Sequence, residues 1–374
     1  MESFDIAVIG AGMAGASAAC ALARRHRVVL VERESQPGYH ATGRSAAMYV
    51  ETYGNAGVRA LTVAGRDLLR SPPTGFAEHP LVTARGSMFV GSAAKDALVR
   101  RMFDDSRALS PSIRLLSAPE ALARCPALRG TACGCALLDP EAMDIDVHAL
   151  HQGYLRSARR LGARVLTHAQ VDELDRSASH WRLRAGEHEF TAAIVVNAAG
   201  AWADEVARLA GARPLGLTPL RRTVITFDPP AGTDASRWPA VFDIEEQWYF
   251  KPDAGRVLAS PADETPSPPC DAQPDEYDVA AAVDRIERAT TLKVRRLASK
   301  WAGLRSFVRD HTPVIGFDQQ IEGFFWLAGQ GGAGIQTAPG AALAASALIE
   351  SGELPVELRR LGLGREQLSP SRLR

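Results

Sequence analysis

Cysteine is scarce in this chain of 374 residues. Its five cysteines are an odd number spread over a long sequence, which argues against a disulfide framework and for a reducing compartment. They are Cys20, Cys125, Cys133, Cys135 and Cys270. The scarcity excludes the small disulfide-stabilised scaffolds, and the 46% of hydrophobic residues can instead bury a large core.

Net charge is also lacking, since 43 acidic residues balance 43 basic ones. A chain without an overall field is not expected to bind nucleic acid or an anionic membrane. The only long uncharged run, Ile6 to Ala23, follows an acidic start and contains three regularly spaced glycines, so it is not typical of a signal or transmembrane segment. We therefore expect a cytoplasmic protein without a transmembrane segment.

Convincing metal ligands are lacking as well. Cys133 and Cys135 form the only close cysteine pair, and His148 and His151 lie three residues apart on one face of a predicted helix. No third ligand accompanies either pair, whereas structural zinc sites need four. The sequence predicts no metal site, and the two histidines are expected to face solvent or to cap.

The chain does contain a strand, helix and strand in close succession at its start. Ile6–Ile9 and Val28–Val31 are continuous apolar runs, which are typical of parallel strands buried on both faces. Met13–Arg25 between them is predicted to be a helix. This order predicts a βαβ unit.

Three glycines and one acid give this unit a dinucleotide-binding pattern. Gly10, Gly12 and Gly15 have GxGxxG spacing, which permits a tight turn, close approach of a pyrophosphate and close helix packing. The helix N-terminus supplies amides and positive partial charge for phosphate. Glu32 at the end of the second strand is placed to accept hydrogen bonds from a ribose.

Two further segments are rich in small residues and indicate a flavin rather than a nicotinamide cofactor. Gly38–Met48 lies too close behind Glu32 to be an ordinary crossover, but it suits a flavin whose ring lies far from its adenosine. Ala328–Gln336 opens the predicted helix Ala338–Ile349, whose positive end would stabilise negative charge on a reduced flavin. His40 alone is expected to pack or to cap a loop.

The rest of the chain alternates short helices and strands. Helices are predicted at Val58–Leu69, His148–Leu161 and Glu276–Thr290, and a strand at Ser87–Val90. An antiparallel meander and a separate buried strand are predicted at Val171–Leu174, Trp181–Arg184, Glu189–Thr191 and Ala193–Val196.

Together these motifs resemble the D-amino-acid oxidase family of flavoproteins, in the branch that contains glycine oxidase, sarcosine oxidase and bacterial D-amino acid dehydrogenases. The resemblance covers nearly the whole chain, and in order, spacing and length it is greatest to the catabolic D-arginine dehydrogenases. Besides the N-terminal fingerprint, the residues that carry it are His40–Ala47, Val196–Trp202, Trp301–Arg305 and Gly331–Gln336.

The resemblance implies an α/β fold in which a Rossmann-type FAD-binding domain carries an α+β, β-sheet substrate-binding domain. The FAD-binding domain would be discontinuous, built from residues 1–50, 145–218 and 301–374. The substrate-binding domain would comprise residues 51–144 and 219–300.

The resemblance also implies FAD as the cofactor. Some relatives attach flavin through a cysteine in the C-terminal half, and no cysteine follows Cys270 here, so we expect FAD to be non-covalent. The residues expected to contact it are Gly10, Gly12, Ala14, Gly15, Glu32, Arg33, Ala41, Thr42, Gly43, Arg44, Ser45, Ala46, Ala47, Met48, Val171, Ala199, Gly200, Trp202, Gly303, Gly331, Gly332, Ala333, Gly334, Ile335, Gln336 and Thr337.

At the substrate site, the resemblance implies that Arg222 and Arg305 bind the carboxylate of an amino acid and that Tyr53 and Tyr249 close the site. A guanidinium that donates two parallel hydrogen bonds is the preferred partner of a carboxylate. The implied reaction is oxidative deamination of a D-amino acid to a 2-oxo acid and ammonia, by hydride transfer from the α-carbon to the flavin.

Two residues depart from the pattern of the D-arginine dehydrogenases. Met48 stands where they have a histidine, and Ser87 where they have a glutamate that faces the guanidinium of the substrate. Without that charge partner we expect neutral or apolar side chains, or a broad range, rather than D-arginine alone. The Gly332 carbonyl, Gln336 or water is expected to hold the substrate amine.

Other functions stay open at the level of sequence. The same architecture suits oxidation of a secondary amine of the sarcosine or glycine type, or of a 2-hydroxy acid. A non-catalytic flavin-binding subunit is a third reading, although such a subunit has no need of a carboxylate site. The electron acceptor, quinone or oxygen, is also left open.

Overall fold

Two large β-sheets and a small one organise the computed structural model, which describes residues 1–108, 110–177 and 179–374. The strands are β1 (Glu2–Ile9), β2 (Val28–Val31), β3 (Met48–Tyr49), β4 (Val82–Ala84), β5 (Ser87–Gly91), β6 (Arg114–Ser117), β7 (Cys135–Asp139), β8 (Met143–Ile145), β9 (Arg164–Leu166), β10 (Val171–Ser177), β11 (His180–Ala185), β12 (His188–Asn197), β13 (Thr218–Phe227), β14 (Ala240–Asp243), β15 (Tyr249–Asp253), β16 (Arg256–Ser260), β17 (Thr265–Pro266), β18 (Leu297–Phe307), β19 (Val314–Phe317) and β20 (Phe324–Ala328).

The helices lie between these strands and at the C-terminus. They are α1 (Met13–Leu22), α2 (Ala56–Ala64), α3 (Arg66–Arg70), α4 (Asp96–Ser106), α5 (Ala118–Arg124), α6 (Val147–Arg160), α7 (Ala203–Leu209), α8 (Glu276–Ala289), α9 (Ala338–Ser351), α10 (Val356–Arg360) and α11 (Arg365–Leu368). Short 3₁₀ helices cover Ala93–Lys95, Gly200–Trp202 and Pro370–Leu373.

The first large sheet contains the predicted βαβ unit at its centre. Its strands run in the order β10-β11-β12-β1-β2-β9, with β20 beside β12 and β19 beside β20. β1 is parallel to both β2 and β12. Both faces of β1 are buried, because Ile6 and Val8 pack into one apolar core while Ala7 and Ile9 pack into the other. The predicted Rossmann-type α/β architecture is confirmed.

The second large sheet is mostly antiparallel and has the order β17-β13-β16-β15-β14-β5-β7-β6, with β18 paired to β13. A separate apolar core lies between this sheet and α8. The small sheet has the order β3-β8-β4, and its strands come where the chain passes from one large sheet to the other. The cores of the two large sheets are separate, as expected of a cofactor-binding layer joined to a β-sheet layer.

Two local predictions differ from the structure, and one long strand was not predicted. The meander and the strand after it are joined, because β12 continues from an antiparallel pairing with β11 to a parallel pairing with β20. The predicted helix Val58–Leu69 is broken at Gly65, where an added β-carbon would lie 3.1 Å from Pro339. β18 is a full strand of eleven residues, although its polar residues gave no clear strand pattern.

The division into two domains stays a proposal, and the sheets and apolar cores suggest different positions for two of its boundaries. Strand β18 lies wholly in the second sheet and crosses the proposed boundary at residue 301. Leu61 and Leu69, on α2 and α3, pack into the core of the first sheet. We propose that residues 56–81 accompany the FAD-binding layer and that the substrate-binding layer extends to Phe307. Among the described helices, none is long and apolar enough to cross a bilayer.

Candidate active site

The glycine-rich turn after β1 brings backbone close to backbone. Gly10 has φ +98°, and a β-carbon added there would lie 2.6 Å from the Ala198 carbonyl oxygen. A β-carbon added at Gly15 would lie 1.8 Å from the Gly10 carbonyl oxygen. The turn and the packing of α1 on the strand thus depend on glycine at both positions.

Hydrogen bonds fix this turn to three later segments. The Glu32 carboxylate accepts from the Ala11 amide at 2.9 Å, and the Thr42 hydroxyl accepts from the Met13 amide at 2.9 Å. His151 Nε2 lies 2.9 Å from the Ala11 carbonyl oxygen. His151 is therefore buried against the turn, whereas the sequence predicted a solvent-facing or capping residue.

His151 predicts a measurable pH effect on stability. Burial lowers the pKa of His151, although its hydrogen bond to Ala11 acts in the opposite direction. The unfolded chain then binds more protons than the folded one, so this contribution is present above about pH 6.5 and is lost as the pH falls. Between pH 7.5 and 5.5, we expect the wild type to lose more unfolding free energy in urea titrations than His151→Gln, which keeps a donor without titrating.

The exposed His180, on β11, supplies the control, because the charge of His148 itself contributes to the lowered pKa of His151. His180→Gln should keep the wild-type dependence on pH. An equal loss of stability in wild type and His151→Gln would contradict the assignment.

Arg44 holds the loop after β2 against the second sheet. Its guanidinium donates to the Ala272 carbonyl at 2.8 Å and pairs with Asp271, and its carbonyl accepts from Trp301 Nε1 at 3.0 Å. His40 lies 2.9 Å from the Glu34 carboxylate and packs against the Trp202 ring, consistent with a packing role. These contacts hold the loop in place, and several of its residues line the cavity described next.

One long cavity runs from the turn to the second sheet. Most of the residues predicted to contact the cofactor line it: Gly10, Gly12, Ala14, Glu32, Arg33, Ala41, Thr42, Arg44, Ser45, Ala46, Ala47, Met48, Val171, Ala199, Gly200, Trp202, Gly303, Gly331, Gly332, Gly334, Ile335 and Gln336. Four others are not among its lining residues: Gly15, Gly43, Ala333 and Thr337. Gly43 is exposed, whereas Gly15, Ala333 and Thr337 are buried.

Arg222 and Arg305 reach the same end of this cavity from adjacent strands. Leu220 pairs with Arg305 and Arg222 pairs with Gly303, so the two arginines are diagonal neighbours on one face of the β13–β18 ladder. The adjacent Arg221 points to the opposite face, where it donates to Asp278 at 2.7 Å. Because successive side chains of a strand point to opposite faces, Arg222 lies in the cavity while Arg221 forms a structural ion pair on the other face.

The two arginines form a cationic centre. Burial and the neighbouring Arg305 guanidinium lower the pKa of Arg222, as expected of two like charges in a poorly hydrated place. The Glu264 carboxylate lies 2.6 Å from Arg305 Nη2 and 3.3 Å from Arg222 Nη2. Such a centre favours an anion, and a carboxylate matches its donors.

Tyr53 and Gly332 lie beside Arg305. A β-carbon added at Gly332 would lie 2.9 Å from the Tyr53 hydroxyl and 3.0 Å from Arg305 Nη1. The Arg222 guanidinium lies 5.8 Å from the centroid of the Tyr249 ring. Burial raises the pKa of Tyr53, so its hydroxyl stays protonated and able to donate. The structure therefore gathers five predicted substrate residues at one end of the cavity: Tyr53, Arg222, Tyr249, Arg305 and Gly332.

The wall next to this centre is aromatic. Phe89 stacks on Phe242 with ring centroids 5.0 Å apart, and Phe242 packs on Tyr249 at 5.6 Å. Met48 also lines this part of the cavity. An apolar side chain would find apolar contacts here.

Ser87 and Gln336 are placed differently from their predicted roles. Ser87 is fully buried behind the cavity wall, and its hydroxyl has no hydrogen-bond partner among the described residues. The Gln336 side chain accepts from the Val50 amide at 2.9 Å and donates to the Thr62 hydroxyl at 3.1 Å. Gln336 therefore positions the chain at Val50 instead of leaving an amide free for a substrate amine.

Lys251 lines the cavity although the sequence did not indicate it. Its ammonium pairs with Asp144 at 2.8 Å, and Asp144 also pairs with Arg85 at 2.7 Å. Lys251 lies two residues after Tyr249 on β15, so period-two alternation was the signal that placed both on one face. The sequence also did not indicate Phe89, Phe242 and Glu264. Their strands or loops come close to the site only once the second sheet has formed.

The cavity fits an FAD-type dinucleotide. Glycines permit close backbone approach at the turn, an acid stands at the end of β2, and the N-terminal end of α9 reaches the wall through Ile335. A sequence model described as DAO, FAD dependent oxidoreductase, matches residues 5–348. The chain belongs to this family. Its members use FAD, and the predicted cofactor is confirmed.

Curated relatives and a solved structure resemble the chain over most of its length. Glycine oxidase of Geobacillus kaustophilus is 24% identical over 97% of each chain. FAD-dependent oxidoreductase domain-containing protein 1 of Bos taurus is 24% identical over 94% of this chain and 82% of its own. The crystal structure of L-proline dehydrogenase from P. horikoshii has a TM-score of 0.86, 20% identity and coverage of 99% and 98%. The likeness to the structure supports the fold.

Proposed function

We propose that the protein oxidises D-amino acids with neutral or apolar side chains to 2-oxo acids and ammonia. The observation that carries the proposal is the pair of arginines on one face of the β13–β18 ladder, beside an aromatic wall. When bound, FAD supplies the hydride acceptor for the α-carbon. It is proposed to bind without a covalent link.

The chain's own residues have separable tasks in this proposal. Arg222 and Arg305 bind and orient the carboxylate, and the Tyr53 hydroxyl donates a further hydrogen bond. The Gly332 carbonyl accepts from the substrate amine in its neutral form. Fixing both groups restricts rotation about the α-carbon, which presents its hydrogen in one direction.

The side-chain preference follows from charge and shape. Phe89, Phe242 and Met48 line the cavity and offer apolar contact, whereas the Lys251 ammonium is already paired with Asp144 and Asp253. A cationic substrate side chain would find no carboxylate partner at position 87.

The test is anaerobic reduction of the flavin by a panel of amino acids, followed at the flavin absorption band. The kcat/KM of D-leucine or D-methionine should exceed that of D-arginine by about 30-fold or more, which corresponds to about 2 kcal/mol for a lost charge partner. Reduction by D-arginine at an equal or greater rate would contradict the preference.

A second candidate is oxidation of glycine or a secondary amine, because the relatives that match most of the chain include a glycine oxidase and an L-proline dehydrogenase. Sarcosine, glycine, L-proline and 2-hydroxy acids therefore belong in the same panel. Reduction confined to any of these would replace the first proposal. Bound flavin that no candidate reduces would support a non-catalytic subunit.

A further inference from the structure

One acidic side chain occupies the place proposed for the substrate carboxylate. Glu264 Oε1 lies 2.6 Å from Arg305 Nη2 and 3.3 Å from Arg222 Nη2. The Glu264 side chain is 46% exposed, whereas the Arg305 and Arg222 side chains are 13% and 11% exposed. A half-exposed anion thus neutralises two nearly buried cations.

The backbone before Glu264 is anchored to the strand that carries Arg222. Arg222 Nε donates to the Asp263 carbonyl at 2.9 Å, and the Asp263 carboxylate accepts from the Thr223 amide at 2.7 Å. Glu264 follows directly and precedes the short edge strand β17. Its main chain is therefore held beside the arginines, while its exposed side chain is able to turn toward water.

We propose that Glu264 is an internal counter-ion that competes with the substrate for the arginine pair and so sets the affinity of the site for carboxylates. The inference rests on the proposed function, in which Arg222 and Arg305 bind the substrate carboxylate. Two neighbouring guanidinium groups repel each other unless an anion lies between them. Glu264 supplies that anion in the free enzyme, and a bound substrate must displace it.

Displacement has a consequence for affinity. Part of the attraction between the substrate carboxylate and the arginines replaces an ion pair that already exists, so only the difference contributes to binding. Removing the negative charge of Glu264 should therefore strengthen carboxylate binding, the reverse of the usual effect of mutating a residue in a binding site.

The experiment titrates the FAD-loaded protein with benzoate, a simple carboxylate, and follows the perturbation of the flavin spectrum. Glu264→Gln should bind benzoate about three- to tenfold more tightly than wild type, given the strength of a partly exposed ion pair. Glu276→Gln is the matched control, because Glu276 is 82% exposed and pairs with Lys300. It should leave the dissociation constant unchanged.

An Arg305→Ala background separates this inference from the proposal on which it rests. There the gain from Glu264→Gln should shrink, because the main partner of Glu264 is gone. If Arg305→Ala weakens benzoate binding but Glu264→Gln does not strengthen it, the counter-ion role is overturned and the carboxylate site stands. If Arg305→Ala leaves benzoate binding unchanged, both are overturned.

Discussion

Replacing Arg222 by alanine is expected to raise the Michaelis constant for the amino acid substrate by roughly two to three orders of magnitude. This corresponds to about 3–4 kcal/mol, within the range for truncating a buried partner of a charged pair. The effect should be large because the Arg222 side chain is nearly buried. In the variant, little water could replace the hydrogen bonds that the substrate carboxylate loses. Steady-state kinetics with D-leucine or D-methionine measure it. The flavin content should stay at the wild-type level.

Arg221→Ala is a matched control for this variant. Arg221 is the preceding residue on the same strand and carries the same charge, but it pairs with Asp278 on the other face. It should leave the Michaelis constant within about twofold of wild type, because its guanidinium is turned away from the cavity and is not among the lining residues. Equal effects of the two variants would refute the carboxylate role of Arg222.

Replacing Gly15 by alanine should weaken FAD binding by about a hundredfold or more, because relief of overpacking by a backbone shift costs about 3 kcal/mol. The added methyl group would lie 1.8 Å from the Gly10 carbonyl oxygen, so helix α1 cannot keep its distance from β1. The amides at the start of α1 would then move away from the pyrophosphate. Titration of the apoprotein with FAD, followed by fluorescence quenching, measures the change.

Gly130→Ala is the control for the general effect of replacing a glycine by alanine where no steric clash results. An added β-carbon at Gly130 meets no atom within 4 Å in the described part of the chain, and its backbone does not need positive φ. Its FAD affinity should equal that of wild type. The melting temperature of each apoprotein shows whether Gly15→Ala still folds, and a folded Gly15→Ala variant with wild-type affinity would contradict the prediction.

Local patterns predicted the cofactor layer well. Val28–Val31 has the predicted bounds, since four consecutive β-branched or aliphatic residues between polar neighbours leave little freedom. Gly10 and Gly15 were predicted from spacing alone, because their roles depend on atoms within a few residues of the turn. Family membership then confirmed the cofactor that these patterns favoured.

Residues whose roles depend on distant strands were harder to predict. His151 is more than a hundred positions from Ala11, and its burial follows from the packing of α6 on α1. Ser87 stands where the D-arginine dehydrogenases have a glutamate that faces the substrate, yet here it is buried behind the wall, whereas Lys251 lines the cavity. Strand register decides such cases, and one sequence does not encode register in a short local pattern.

The separation of the arginine ladder from the aromatic wall has an evolutionary consequence. Arg222 and Arg305 stand on β13 and β18, whereas Phe89, Phe242 and Lys251 stand on β5, β14 and β15 of the same sheet. The two groups meet at Tyr249, whose ring packs on Phe242 and lies beside Arg222. A lineage with this layout inherits arginines that bind one end of its substrates and a separate wall on which selection can act for the other end.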